Sequence, residues 1–69
     1  MKVYYQDINT TLYLDNNEFY VRTLFPFRIY EISYKEFIEE IQYVRRSEAW
    51  KRLTIIEAGK EAGIISEVA

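Results

Sequence analysis

The chain contains no cysteine and no histidine. Without cysteine there is no disulfide to staple a small core and no thiolate nucleophile. With both residue types absent, a zinc site of the usual Cys/His kind has no ligands. The side chain most used for proton transfer near neutral pH is also missing. Glycine and proline are scarce, at two and one. There is no glycine-rich phosphate loop, no nucleophile motif and no flexible linker. Charge of one sign is lacking too: the formal net charge is −2, which is no general footprint for nucleic acid. No apolar run approaches the roughly 20 residues of a membrane span. The N-terminus lacks the basic-then-apolar order of a signal peptide. A cytoplasmic protein without cofactor or metal is the expectation.

What the chain does have is aromatic mass, with seven Tyr, four Phe and one Trp among 69 residues. At this length folding buries only about 60% of the unfolded surface. Stability must then come from large buried rings, at about 1.5–3 kcal/mol each, or from a second copy of the chain. One small domain is expected over residues 1–69. It divides into a sheet half (1–32), a helical half (33–60) and a tail (61–69).

The boundary between the halves is the segment Ile32-Ser33-Tyr34-Lys35-Glu36-Phe37. Ser33 and Glu36 have capping-box spacing, and Ile32 and Phe37 have hydrophobic-staple spacing. Before it, Lys2 to Ile8 is rich in strand formers. Asp15-Asn16-Asn17-Glu18 separates two alternating runs, and asparagine tolerates positive φ, so Asn16-Asn17 suits a type I′ turn. That register pairs Leu14 with Phe19, Tyr13 with Tyr20, Leu12 with Val21 and Thr11 with Arg22. Leu12, Leu14, Phe19 and Val21 then share one face, and a one-residue slip would destroy the pattern. Pro26 belongs at a turn, bulge or strand start. Phe27 to Ile32 can form a further strand, of ambiguous inward face.

After Ser33, the residues Tyr34, Phe37, Ile38, Ile41 and Val44 form one helical stripe. The early acids suit the helix N-terminus, and Arg45 and Arg46 suit a C-terminal end. A second stripe of Ala49, Leu53 and Ile56 is rotated by roughly 100° from the first. Either the helix breaks near Ser47, which caps a second helix, or one long helix turns a new apolar side to a partner. Gly59 is the expected helix stop. Gly63-Ile64-Ile65 reads as a short strand or a docked tail, and the last few residues are expected to fray. The fold class expected is α+β: a small antiparallel sheet of three or four strands, then one long or broken helix packed on one face.

No constellation points to catalysis. Glu39 and Glu40 are adjacent on the helix and diverge, and Glu36 already has a capping role. Asp7 and the Asp15–Glu18 quartet lack the calcium-loop pattern. Three groups could carry recognition instead. Tyr13 and Tyr20 form a cross-strand pair on the outer face beside Arg22. Tyr and Arg often anchor interfaces, although such a pair is also ordinary strand composition. Base stacking on these rings is opposed by the neighbouring acids Asp7, Asp15, Glu18 and Glu31. Arg45, Arg46, Lys51 and Arg52 form the basic cluster, either a contact patch or a solvated helix face. Trp50, beside Tyr43 if the helix is continuous, is either the plug of the core or an anchor.

The expected function is a non-enzymatic protein-interaction module, an inhibitor or regulator that binds a larger protein. In type it resembles the small inhibitors encoded by phages and mobile elements, including anti-CRISPR and other anti-defence proteins; no motif ties it to one such family. Tyr13, Tyr20, Arg22, Tyr43, Arg46 and Trp50 are the candidate partner-binding residues. The alternatives are a nucleic-acid-binding regulator working through the basic helix patch, or a self-associating structural subunit. A homodimer fits the small core and the second stripe.

Overall fold

The computed structural model describes residues 1–66. Strands β1 (Lys2–Gln6), β2 (Thr10–Asp15), β3 (Glu18–Leu24) and β4 (Phe27–Ile32) precede helices α1 (Tyr34–Tyr43) and α2 (Glu48–Glu61). The strands form one antiparallel sheet in the order β1-β2-β3-β4. The helices lie on one face of it. This is the expected α+β arrangement, with four strands and a broken helix. The expected fraying of the last residues lies outside the described residues.

The β2–β3 register is the one that the alternation requires. Asn16 and Asn17 have φ of 51° and 63°, as a type I′ turn demands. Leu14 pairs with Phe19, Tyr13 with Tyr20 and Leu12 with Val21. Leu12, Leu14, Phe19 and Val21 are buried and form the sheet's share of the core, with Ile32. β1 joins through a bulge between Val3 and Tyr5. The extra residue lets Tyr4 and Tyr5 both turn toward the helices: Tyr4 meets Phe37 edge-on at 5.6 Å, and Tyr5 meets Trp50 at 6.3 Å. The β1–β2 loop closes on Asp7, whose carboxylate accepts from the amides of Asn9 and Thr10. Phe25 and Pro26, joined by a cis peptide, form the β3–β4 turn. The Asn9 side chain accepts from the Leu24 and Phe25 amides there, and so ties the two loops together.

The capping box is present in full. Ser33 Oγ accepts from the Glu36 amide at 3.1 Å, and the Glu36 carboxylate accepts from the Ser33 amide at 3.0 Å. It starts α1 so that Phe37 and Ile41 are completely buried. Phe37 stacks on Phe19 at 4.5 Å, and Tyr34 stacks on Phe19 at 5.6 Å.

The change of stripe at Ser47 is a helix break. Val44 ends α1 in extended conformation, and Ser47 caps α2 by accepting from the Trp50 amide. The two helices run antiparallel: Lys51 near the start of α2 donates to the Gln42 carbonyl at the end of α1, and Tyr34 at the start of α1 donates to the Ile55 carbonyl. Arg45 and Arg46 therefore lie beyond α1 rather than in its last turn, and Lys51 supplies the cation at its carbonyl end.

Two expectations for α2 are corrected. Its inward side is Trp50, Thr54 and Ala58, with Ile55 and Ala62 beside them, a four-residue step. Ala49, Leu53 and Ile56 point outward, and Leu53 is 68% exposed. The cause is close packing: the small side chains of Thr54 and Ala58 let the helix approach, and Leu53 would hold it off. Gly59 does not end the helix. It is buried inside α2, where a Cβ would sit 2.6 Å from the Tyr34 hydroxyl and 2.5 Å from Ile65 Cδ1. The stop is Gly63, at φ 75°. The Ile64 amide returns to the Gly59 carbonyl and the Gly63 amide to that of Lys60, a Schellman ending. Residues 63–65 dock through Ile65 against Gly59, and among the described residues beyond α2 none lies in a strand.

Two substitutions test these devices. Ser33→Ala is expected to cost about 0.5–2 kcal/mol through loss of the cap, read from urea unfolding followed by circular dichroism. Gly59→Ala improves helix propensity yet is expected to destabilise by about 1–3 kcal/mol, because the methyl displaces an anchored phenol. A gain in stability would show that the contact relaxes freely.

Candidate interaction surface

Side chains alternate across a sheet, so burying Leu12, Leu14, Phe19 and Val21 commits Thr11, Tyr13, Tyr20 and Arg22 to the opposite face. Among the described residues no helix covers that face. Tyr13 and Tyr20 stack with centroids 5.3 Å apart and planes inclined by 18°. Both are half-buried, as is Arg22, and Thr11 between Gln6 and Arg22 is buried. The Arg22 Nε is buried with no hydrogen-bond partner among the described residues. Tyr13, Tyr20 and Arg22 are therefore brought together as a rigid platform.

The platform continues onto apolar residues that the sequence pattern left unassigned. Val3 lies across from Tyr13, and Ile29 lies across from Arg22. Leu24 and Phe27 form the next outward pair. All four are exposed. At the loop end Ile8 is 90% exposed and Phe25 80% exposed. Exposed large apolar side chains on loop tips are a stronger functional signal than any of them singly. The sequence pattern hides both: Ile8 reads as part of the first strand run, and Phe25 sits among Leu24, Pro26 and Phe27, so only the end of β1 at Gln6 and the turn at Phe25-Pro26 put them on loop tips.

One rim of the platform is acidic. Tyr20 Oη donates to Glu18 at 3.1 Å. That bond raises the phenol's pKa. Glu18 and Glu31 face each other across the strands and influence each other's proton, which holds Glu18 below and Glu31 above the ordinary carboxylate range. Asp7, on the loop, is held low by the amide of Asn9 and then by the Tyr5 hydroxyl.

The other candidates fall elsewhere. Trp50 is half-buried against the core, under the Arg46 guanidinium at 5.7 Å from its ring centroid. Arg46 also lies 5.4 Å from the Tyr5 ring. This tryptophan packs as a plug between sheet and helix. Tyr43 is not beside it, because the chain turns at Ser47; it is 84% exposed at the end of α1. There it borders an open cleft of about 350 Å³ with Tyr5, Asp7, Glu40 and Arg45. The basic cluster is divided. Lys51 is turned onto Gln42 and Glu48, Arg46 lies over two rings, and Arg45 and Arg52 are exposed. Among the described residues no group of three or more His, Cys, Asp or Glu could hold a metal ion, and no helix is long and apolar enough to cross a membrane.

The plug and the exposed tyrosine should respond differently. Trp50→Ala is expected to cost about 1.5–2.5 kcal/mol, half the figure for a fully buried ring. Tyr43→Ala should stay within about 0.5 kcal/mol of wild type. Paired thermal melts would decide, and equal effects would contradict this assignment.

The chain matches no protein-family model, and neither a curated protein nor a solved structure matches it.

Proposed function

We propose that this protein is a non-enzymatic interaction module that binds a larger protein through the uncovered face of its sheet. The observation that carries the reading is the stacked Tyr13–Tyr20 pair set among exposed Val3, Ile29 and Phe27 on a face that no helix covers. A pre-stacked aromatic pair loses little side-chain freedom on binding, and aromatic rings beside arginine are the usual composition of interface centres. Arg22 can supply the central cation. Glu18 and Glu31 give the rim a negative sign, which fits a partner with a basic contact surface.

Such a module acts by occupying a surface on its partner, as an inhibitor or regulator does. The type is that of small phage and mobile-element proteins that blunt host defences, and the setting we infer is cytoplasmic. The nucleic-acid reading is weaker, because Lys51 and Arg46 are engaged within the fold and the tyrosine platform has an acidic border. Neither tyrosine is paired with a general base suited to neutral pH, and we take the protein to act without turnover.

Affinity capture from a lysate of the source cells tests the reading. Wild type and an Arg45→Ala/Arg52→Ala variant are expected to retain the same protein. A Tyr13→Ala/Tyr20→Ala variant with an unchanged circular dichroism spectrum should lose it. Capture that survives the tyrosine changes, or that vanishes with nuclease and with the arginine changes, would overturn the proposal.

A further inference from the structure

The two edges of the sheet are treated differently. β1 carries a bulge, and its Lys2 forms ion pairs with Glu57 and Glu61. Both are devices that discourage further strand pairing. β4 has neither. It is six residues long, in unbroken register with β3, and holds no lysine and no proline. In an antiparallel ladder every second residue of an edge strand turns its N–H and C=O outward. Beyond Ile32 the helix layer does not reach this strand. Ile29 and Phe27 are exposed on the outer side, and Tyr30 is exposed on the inner side. Among the described residues the inward charge of Arg28 is the one such device on β4, and Phe27, Ile29 and Tyr30 leave the rest of this edge apolar and uncovered.

We infer that the occupant of this edge is a second copy of the chain, with β4 paired antiparallel to β4 of the partner subunit in a continuous eight-stranded sheet. The sequence of the strand argues for a copy of itself. It carries one cation, Arg28, and one anion, Glu31, so its edge is neutral and does not repel itself. A two-fold axis normal to the sheet keeps inner residues with inner and outer with outer, which restricts the registers. Centring the axis on Arg28 opposes like charges. Centring it on Tyr30 sets Arg28 against the partner's Ile32. Centring it on Ile29 sets Arg28 beside the partner's Tyr30 twice over, with Ile29 against the partner's Ile29 between them. Only the last gives each guanidinium an aromatic face. A cleft of about 220 Å³ between Phe25, Arg28 and Tyr30 opens beside that position and offers room for the incoming ring. This inference does not rest on the tyrosine platform; it would place two such platforms on one surface.

The test exploits the absence of cysteine. In the proposed register the two Ile29 Cα atoms lie at strand-pair distance, about 4.5–5.5 Å, within disulfide reach. Ile29→Cys is expected to form a covalent dimer under mild oxidation at micromolar concentration. Leu53→Cys, on the exposed stripe of α2, should form no covalent dimer under the same conditions. Light scattering should give twice the 8.4 kDa chain mass for wild type at high concentration. The mass should halve for Ile29→Lys, with circular dichroism unchanged, and not for Leu53→Lys. A wild type that stays monomeric to about 1 mM would overturn the inference. So would cross-linking through Leu53→Cys but not Ile29→Cys.

Discussion

Everything in this small fold depends on two consecutive asparagines held in the left-handed region. Asn16 and Asn17 set the β2–β3 register, and the register decides which four side chains face inward. A slip of one residue would send Leu12, Leu14, Phe19 and Val21 to water and bury two tyrosines and an arginine. Phe19 would then leave the site where Phe37 and Tyr34 stack on it. The other contacts between helices and sheet, Tyr4 on Phe37 and Tyr5 on Trp50, come from β1 and meet the rings edge-on. Local backbone chemistry at the turn thus fixes the position of α1, some twenty residues later.

The helical half shows how a chain without disulfides makes two short helices adhere. Each is capped by a serine. Each reaches the other with one polar side chain: Tyr34 to a carbonyl of α2, Lys51 to a carbonyl of α1. These bonds sit at opposite ends of α1 and one turn apart on α2, while the small residues Thr54, Ala58 and Gly59 let α2 approach closely. Tyr34 is thereby shared by three structures: it stacks on the sheet, begins α1 and touches α2 beside Gly59. The burial of its ring raises the phenol pKa.

Features governed by neighbours in sequence were legible; those governed by space were not. The hairpin register and the capping box are short-range rules, and each is found where the residues place it; the break at Ser47 was one of two readings that the residues allowed, and the fold takes the capped break. The inward side of α2 was misread because hydrophobicity was taken as the guide. The packing rewards small residues there, and Leu53 and Ile56 are left outside. Gly59 was misread as a stop for the same reason: its purpose is a contact with Tyr34 and Ile65 that the local pattern does not announce. On the candidate surface, Tyr13, Tyr20 and Arg22 followed from alternation alone. Their continuation through Val3, Ile29 and Phe27 needed the positions of β1 and β4, which alternation within single strands does not give.

The strand order has a temporal consequence. Each strand pairs with the one synthesised just before it, across a connection of two or three residues, so loop closure costs little at any stage. On the ribosome, where the N-terminus emerges first, the sheet's hairpins have their partners before the helices exist. Its inner face stays wet until the residues of α2 clear the exit, since Trp50 and Ala58 come from that helix. For that interval both faces of the sheet are aromatic and open. The bulge and lysine of β1 then guard the older edge of a nascent sheet, at the stage when an unfinished chain is most exposed to its neighbours.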